Sequence, residues 1–290
     1  MRDENPLVRG YYLPMPSDAR AASPSNLSVT LSLMNTTNVD ERGDERYLID
    51  GEALTLRITY EHALTDDLHY RMTLPIIHDS GGFMDGLIED WHRWFGFSRG
   101  YRPYYPKNQL DYSYSGLSTI NLTHDETNIG GLAGDLGYFA FDGEHQTVSL
   151  WGGLQAPTGS VAGLTGDGAW DGAAWAHYAW RGIRWQVGSE LGVVEPFGDE
   201  LFAGRGHQLS GFGRVALTRE FGANWALRAQ LDGQTRRVRD SAVRLTGPSL
   251  ELSVGATRRL WHRFRIEMGF AEDAAVNTAP DITFFLGIRN

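Results

Sequence analysis

The chain has 290 residues, no cysteine and a formal net charge of -10, with 41% hydrophobic and 12% aromatic residues. The lack of cysteine excludes disulfides, a thiol nucleophile and thiolate metal sites, and an acidic balance without any basic stripe excludes nucleic acid as a partner. No apolar run reaches the roughly 18 residues of a membrane-spanning helix, a limit that leaves spanning strands open, since these need only about 10 residues, half of them polar.

Residues 1–26 carry Pro6, Pro14, Pro16 and Pro24 among small and polar residues, which rules out a long helix or a central strand. They are expected to form an extended N-terminal segment. The opening "MRDENPLVRG" lacks the apolar core of a secretory signal, so an exported protein would here read as a mature chain restarted with Met.

From Asn26 onward a period of two dominates. Leu27, Val29, Leu31 and Leu33 alternate with Ser28, Thr30 and Ser32, and "TLRITYEHALTDDLHYRMTLPI" (55–76) is two alternating runs joined by a short turn, a hairpin. The rhythm breaks over 78–130. There "GGFMDGLIEDWHRWFGFSRGYRP" (81–103) opens on a glycine pair and spaces Phe83, Leu87, Trp91 and Trp94 at helical intervals, which predicts a short amphipathic helix of about three turns. Alternation then resumes with Leu132, Leu136 and Tyr138; Val148, Leu150 and Leu154; Ala176, Tyr178 and Trp180; and Ile183, Trp185, Val187 and Leu191. It continues through Leu209, Val215 and Leu217; Trp225, Leu227 and Leu231; Leu250, Leu252 and Val254; Phe264, Ile266, Met268 and Phe270; and Ile282, Phe284, Leu286 and Ile288. These runs make twelve strands.

Their connections alternate in length. "ALTD", "DGEH", "RG", "EFGA" and "LWHR" are short, while "NTTNVDERGDER", "APTGSVAGLTGDGAW", "EPFGDELFAGRG" and "TRRVRDSAVRLTG" are long. Transmembrane barrels pair short periplasmic turns with long extracellular loops, and Tyr60, Tyr70, Trp180, Trp185, Trp225 and Trp261 beside the short turns fit a girdle at one membrane face. "DERGDER" (40–46) reads as an exposed loop tip. The expected fold is all-β: a twelve-stranded antiparallel transmembrane β-barrel over 27–290, with a long, partly helical extracellular insert over 78–130 and both termini periplasmic. A bacterial outer membrane with its lipopolysaccharide is then the environment.

"GGFMDGLIEDWHRWFGFSRGYRP" (81–103), "GLAGDLGYFAF" (131–141) and "APTGS" (156–160) resemble an uncharacterised family of bacterial outer-membrane barrels, a domain-of-unknown-function group. The resemblance implies an outer-membrane location and supplies no activity. "HDSGG" (78–82) resembles the His-x-Ser-Asn-Gly stretch of the outer-membrane phospholipase, also a twelve-stranded barrel, in which a lipid-facing His serves a Ser nucleophile. Here Gly81 stands where Asn follows Ser, so His78 and Ser80 are candidate catalytic residues only against the simpler reading of a polar strand exit.

With apolar stripes facing lipid, the lumen is expected to be lined by Arg57, Glu61, His69, Arg71, Arg184, Glu190, Arg214, Arg228, Asp232, Glu251, Arg265 and Glu267. Such charges must be hydrated or paired, so they either plug a narrow lumen or set the selectivity of a water path. A twelve-stranded barrel is intermediate in width. The expected function is a narrow channel for a small solute, gated by the 78–130 insert through Trp91, His92, Trp94, Arg99 and Tyr101, with lipid hydrolysis and a plugged structural or binding barrel as alternatives. His124, Asp125 and Glu126 match no standard metal spacing and phosphate-binding glycine loops are absent, so neither a metal nor a cofactor is expected.

Overall fold

The computed structural model describes residues 3–17, 25–95, 101–260, 264–275 and 278–290, without the side chains of Trp91, His92 and Phe95. In chain order the strands are β1 (Ser25–Arg42), β2 (Glu45–Ala63), β3 (Leu68–Ser80), the short β4 (Asp111–Ser115), β5 (Thr119–Leu122) and β6 (Glu126–Ile129), then β7 (Ala133–Asp142), β8 (Gln146–Gln155), β9 (Asp171–Arg181), β10 (Trp185–Pro196), β11 (Ser210–Phe221), β12 (Trp225–Gln234), β13 (Ser249–Arg259), β14 (Arg265–Asp273) and β15 (Ile282–Arg289). Twelve of them pair antiparallel with their neighbours in chain order, β3 passing directly to β7, and β1 pairs with β15 from Ser28↔Arg289 to Asn35↔Ile282. The sheet is therefore a closed barrel, which leaves no edge in its wall.

Which face points outward follows from exposure. Leu31, Leu54, Met72, Leu136, Leu150, Leu191, Val215, Leu227, Leu252, Met268 and Leu286, one or more from nearly every wall strand, are all exposed. Their alternates Ser32, Thr55, Arg57, Arg71, Asp135, Ser149, Glu190, Arg214 and Glu251 are buried inside. An apolar exterior over a charged interior is stable only where acyl chains replace water outside, so the barrel has the inside-out patterning of a membrane-spanning one. At the short-turn end Tyr60, Trp180, Trp185 and Trp225 are exposed, with the Arg219 guanidinium 5.0 Å from the Trp185 ring centroid and that of Arg258 5.1 Å from the Trp225 centroid. Rings and cations at one rim form the expected girdle. Trp261 lies outside the described residues.

Two expectations about the long-loop end are corrected. "NTTNVDERGDER" is not a loop: β1 and β2 stay paired to Arg42↔Glu45, and only Gly43 and Asp44 turn. Polar residues on both faces hide the period of two, but the backbone ladder continues above the apolar belt. In the 78–130 insert the expected short helix is present, but the long, partly helical loop is not, because residues 111–129 return mostly as strands. It holds one short helix, α1 (Asp85–Phe95), and a single 3-10 turn (Arg102–Tyr104), and otherwise returns as strands: β4 pairs with β2 above the end of β3, β5 pairs with β4, and β6 pairs with β3 above the start of β7.

Candidate functional site

The lumen is occupied by the chain's own N-terminal segment, residues 3–17, buried throughout apart from half-buried Met15 and Pro16. It is not fully extended. Asn5 anchors a tight coil, its carbonyl accepting from the amides of Val8 (3.0 Å) and Arg9 (2.8 Å) and its side-chain oxygen from that of Leu7 (3.0 Å). This is an Asx turn: the carboxamide oxygen accepts from the amide two residues on, while Pro6, which has no N–H to donate, fixes the turn's backbone.

Two charges on the segment, Glu4 and Arg9, meet opposite charges on the wall, while Asp3 accepts from the neutral side chains of Gln234 (2.7 Å) and Ser249 (3.4 Å). Glu4 accepts from Arg57 of β2 (2.8 Å) and from Thr55 (3.2 Å) and Ser32 (3.3 Å). Arg9 forms a two-pronged fork on Asp79 of β3 at 2.8 and 2.6 Å and donates its Nε to the Leu164 carbonyl (3.0 Å). The Tyr12 hydroxyl donates to Asp135, and its amide to Asp171 (2.7 Å). Lower in the lumen Arg71 donates to the Met15 carbonyl (3.0 Å), Arg214 to the Pro14 carbonyl (2.5 Å), and the Ser17 amide to Glu190 (2.5 Å). Arg71 is held by Asp135 (2.7 Å), and Arg214 by both Glu190 (2.8 Å) and Asp232 (2.9 Å). Ions this deeply buried persist only with partners, which explains why the wall and the segment carry complementary charges.

Apolar contacts complete the closure. At the long-loop end Leu7, Val8 and Tyr11 join Tyr47, Ile49, Leu110, Tyr112, Tyr114 and Leu122 with Leu164, Phe202, Val238 and Leu245 from the loops, a cap across the mouth. Below it, inward Phe139, Trp151, Trp175 and Phe212 form an arc over β7, β8, β9 and β11, with neighbouring ring centroids 5.8–6.5 Å apart, against which Tyr12 and Leu13 pack. In the loop after β8, Asp167 is pushed up to about 8 by burial and by the neighbouring Asp171 charge, opposed by a hydrogen bond from the Ala169 amide.

The structure places the expected lumen residues in three groups. Arg57, Glu61, His69, Arg71, Glu190, Arg214 and Glu251 are buried within the wall's inner face, with His69 3.4 Å from the Glu61 carboxylate and its ring 4.7 Å from that of Phe139. Arg228, Asp232 and Glu267 are half-buried, and Arg184 and Arg265, at the short-turn rim, are exposed. Burial thus reaches the short-turn end beside the β2–β3 hairpin, at Glu61 and His69, and is lost at that end around Arg184 and Arg265. Sequence reasoning missed the segment itself and its wall partners Asp79, Asp135 and Asp171. It also missed the inward Trp151 and Trp175.

Of the expected gate residues, Trp94 and Tyr101 are exposed, while Arg99 and the side chains of Trp91 and His92 lie outside the described residues. His78 and Ser80 both fall on the outward face of β3. The His78 ring is engaged by Thr127 (2.8 Å), and among the described residues no hydrogen bond joins it to Ser80. His124 lies 3.4 Å from Glu126 at the surface, and among the described residues no acid and histidine cluster could hold a metal.

No curated protein matches the sequence. Among solved structures the fold is similar to the COG4313 outer membrane channel from Pseudomonas putida F1, at 16% identity and a TM-score of 0.62, covering 96% of this chain and 98% of that one. It is also similar to the NanC porin, at 7% identity and a TM-score of 0.54, covering 90% and 98%. At such identities the likeness is one of fold. The family model described as a protein of unknown function (DUF3187) matches residues 1–290, and the chain belongs to that family.

Proposed function

We propose that this protein is a bacterial outer-membrane channel for a small solute, with its short turns and C-terminus periplasmic and its N-terminal segment folded up into the lumen from that side, seen in a closed state. The observation that carries this reading is that the obstruction is separable: residues 3–17 belong to no strand pairing, so the wall is a complete barrel without them. The gate in this reading is the N-terminal segment, assisted by the insert through Leu110, Tyr112, Tyr114 and Leu122 in the cap. Once the segment withdraws, Asp135, Glu190 and Asp232 outnumber Arg71 and Arg214 along the aromatic arc, which favours an uncharged or cationic solute over an anion.

The extent of burial supports a second reading, a permanently plugged barrel serving structure or binding. Liposome-swelling uptake of neutral, cationic and anionic solutes, with the native chain and Glu4→Gln, separates the two. The channel reading expects faster swelling for the variant, with anions slowest. No swelling by either protein in any solute leaves the plugged barrel.

A further inference from the structure

The helix α1 sits outside the barrel, not over its mouth, and this follows from strand parity. On β1 the outward stripe runs Leu27, Val29, Leu31 and Leu33, and Asn35 continues it; on β2, paired in register, Leu56 and Leu54 lead to Glu52. Asn35 and Glu52 are therefore the first polar rung above the lipid-facing one made by Phe284, Leu33 and Leu54. Successive rungs are about 7 Å apart. Onto that polar rung the helix is fastened: Asp85 accepts from Asn35 and Arg102 (each 3.0 Å) and from the Asn108 amide (2.8 Å), and Glu52 accepts from the amides of Phe83 (3.0 Å) and Met84 (2.5 Å). Gly82, at φ +70°, permits this close approach, because a Cβ there would run into the Glu52 side chain.

The helix is inverted relative to one lying on a protein core in water. Met84, Asp85, Ile88 and Glu89 face the barrel and are buried, whereas Phe83, Leu87 and Trp94 are 65%, 63% and 77% exposed. At 100° per residue Leu87 and Trp94 fall on one line of the helix on the side away from the barrel, and Phe83, two residues ahead of the first helical residue, is exposed as well. A rigidly held helix that turns a Phe–Leu–Trp stripe outward, directly above an apolar belt, has the form of an interfacial element.

We propose that α1 is a lipid-binding element, with Phe83, Leu87 and Trp94 entering the acyl-chain boundary of the outer leaflet beside the tops of β1, β2 and β3. The stripe continues the lipid-facing surface of the wall and extends it past the rim, fixing the depth of the barrel on that side. This is independent of whether the lumen conducts.

Because the chain has no cysteine, single labels report position directly. Leu87→Cys is spin-labelled in vesicles of phosphatidylethanolamine and phosphatidylglycerol, beside Leu286→Cys as the lipid-facing reference and Asp44→Cys as the aqueous one, and collisions with oxygen and with a water-soluble nickel chelate are compared. The expected oxygen-to-nickel ratio at position 87 matches that at 286 and lies well above that at 44. A ratio like that at 44 overturns the proposal, and so does a label shielded from both reagents, which would mean that protein covers the stripe. Phe83→Cys, labelled the same way, gives an independent reading should the first variant fail to fold.

Discussion

Replacing Arg9 by Met removes the cation from a buried fork and leaves Asp79, itself 0% exposed, without its counter-charge. Breaking one side of a buried pair costs about 3–5 kcal/mol. The wall strand that carries Asp79 is held by its own ladder with β2 and β6, so most of this cost falls on docking of the N-terminal segment. At about 1.4 kcal/mol per decade, the ratio of docked to withdrawn segment falls by roughly two to three and a half orders of magnitude. Single-channel recording in planar bilayers reads this as a rise in open probability for Arg9→Met. The double variant Arg9→Met/Asp79→Leu, which removes both charges, restores the quiet state because no ion is left unpaired. If the single and double variants conduct alike, or if both are as silent as the native chain, the ion pair does not hold the segment and the reasoning fails.

Other consequences are testable in the same preparations. Leu286→Arg places a charge on the lipid-facing stripe and is expected to lower stability by about 2–4 kcal/mol in urea titrations in lipid vesicles, where Thr283→Ser, facing inward, has little effect. Gly82→Ala combines a positive φ with a collision at Glu52 and should cost about 1–3 kcal/mol, read as faster proteolytic cleavage within the insert while the barrel stays folded. The pH response of the loop after β8 has a defined sign. Asp167 titrates near 8 when folded and near 3.8 when unfolded, so its stabilising contribution is complete below about pH 4, declines as the pH rises and is gone above about 8. Amide exchange in residues 156–170 should quicken across that window, and Asp167→Asn should remove the dependence. Trp175→Ala, which empties part of the aromatic arc, should cost about 3–5 kcal/mol and loosen the segment at Leu13.

The barrel was legible in the sequence because its signal is local. Each strand declares its two faces by a period of two, and the alternation of short and long connections orders them. The girdle residues Tyr60, Trp180, Trp185 and Trp225 carry the same information at the strand ends. Where both faces are polar, as over Asn35–Arg42, the period vanishes although the ladder persists, so the β1–β2 hairpin passes for a loop. The plug left no local signature. Arg9 meets Asp79 across 70 residues and Tyr12 meets Asp171 across 159, and nothing in "MRDENPLVRGYYLPMPS" states what its charges will face. Trp151 and Trp175 break the rule of polar residues inward for a physical reason: they face another piece of protein, not water. The insert's helix was visible from the spacing of Phe83, Leu87, Trp91 and Trp94, but the burial of Asp85 and Glu89 against the barrel is a tertiary fact.

The most direct measurement is the reactivity of a single thiol in the N-terminal segment of the otherwise intact protein in a bilayer. Leu7, fully buried in the cap, is replaced by Cys and challenged with a water-soluble maleimide, beside Asp44→Cys at the exposed hairpin tip. With residues 3–17 seated in the lumen, the thiol at position 7 reacts far more slowly than that at 44 until the protein is unfolded. Equal rates in the folded protein would mean that the segment lies outside the barrel, and the closed state described here would not exist.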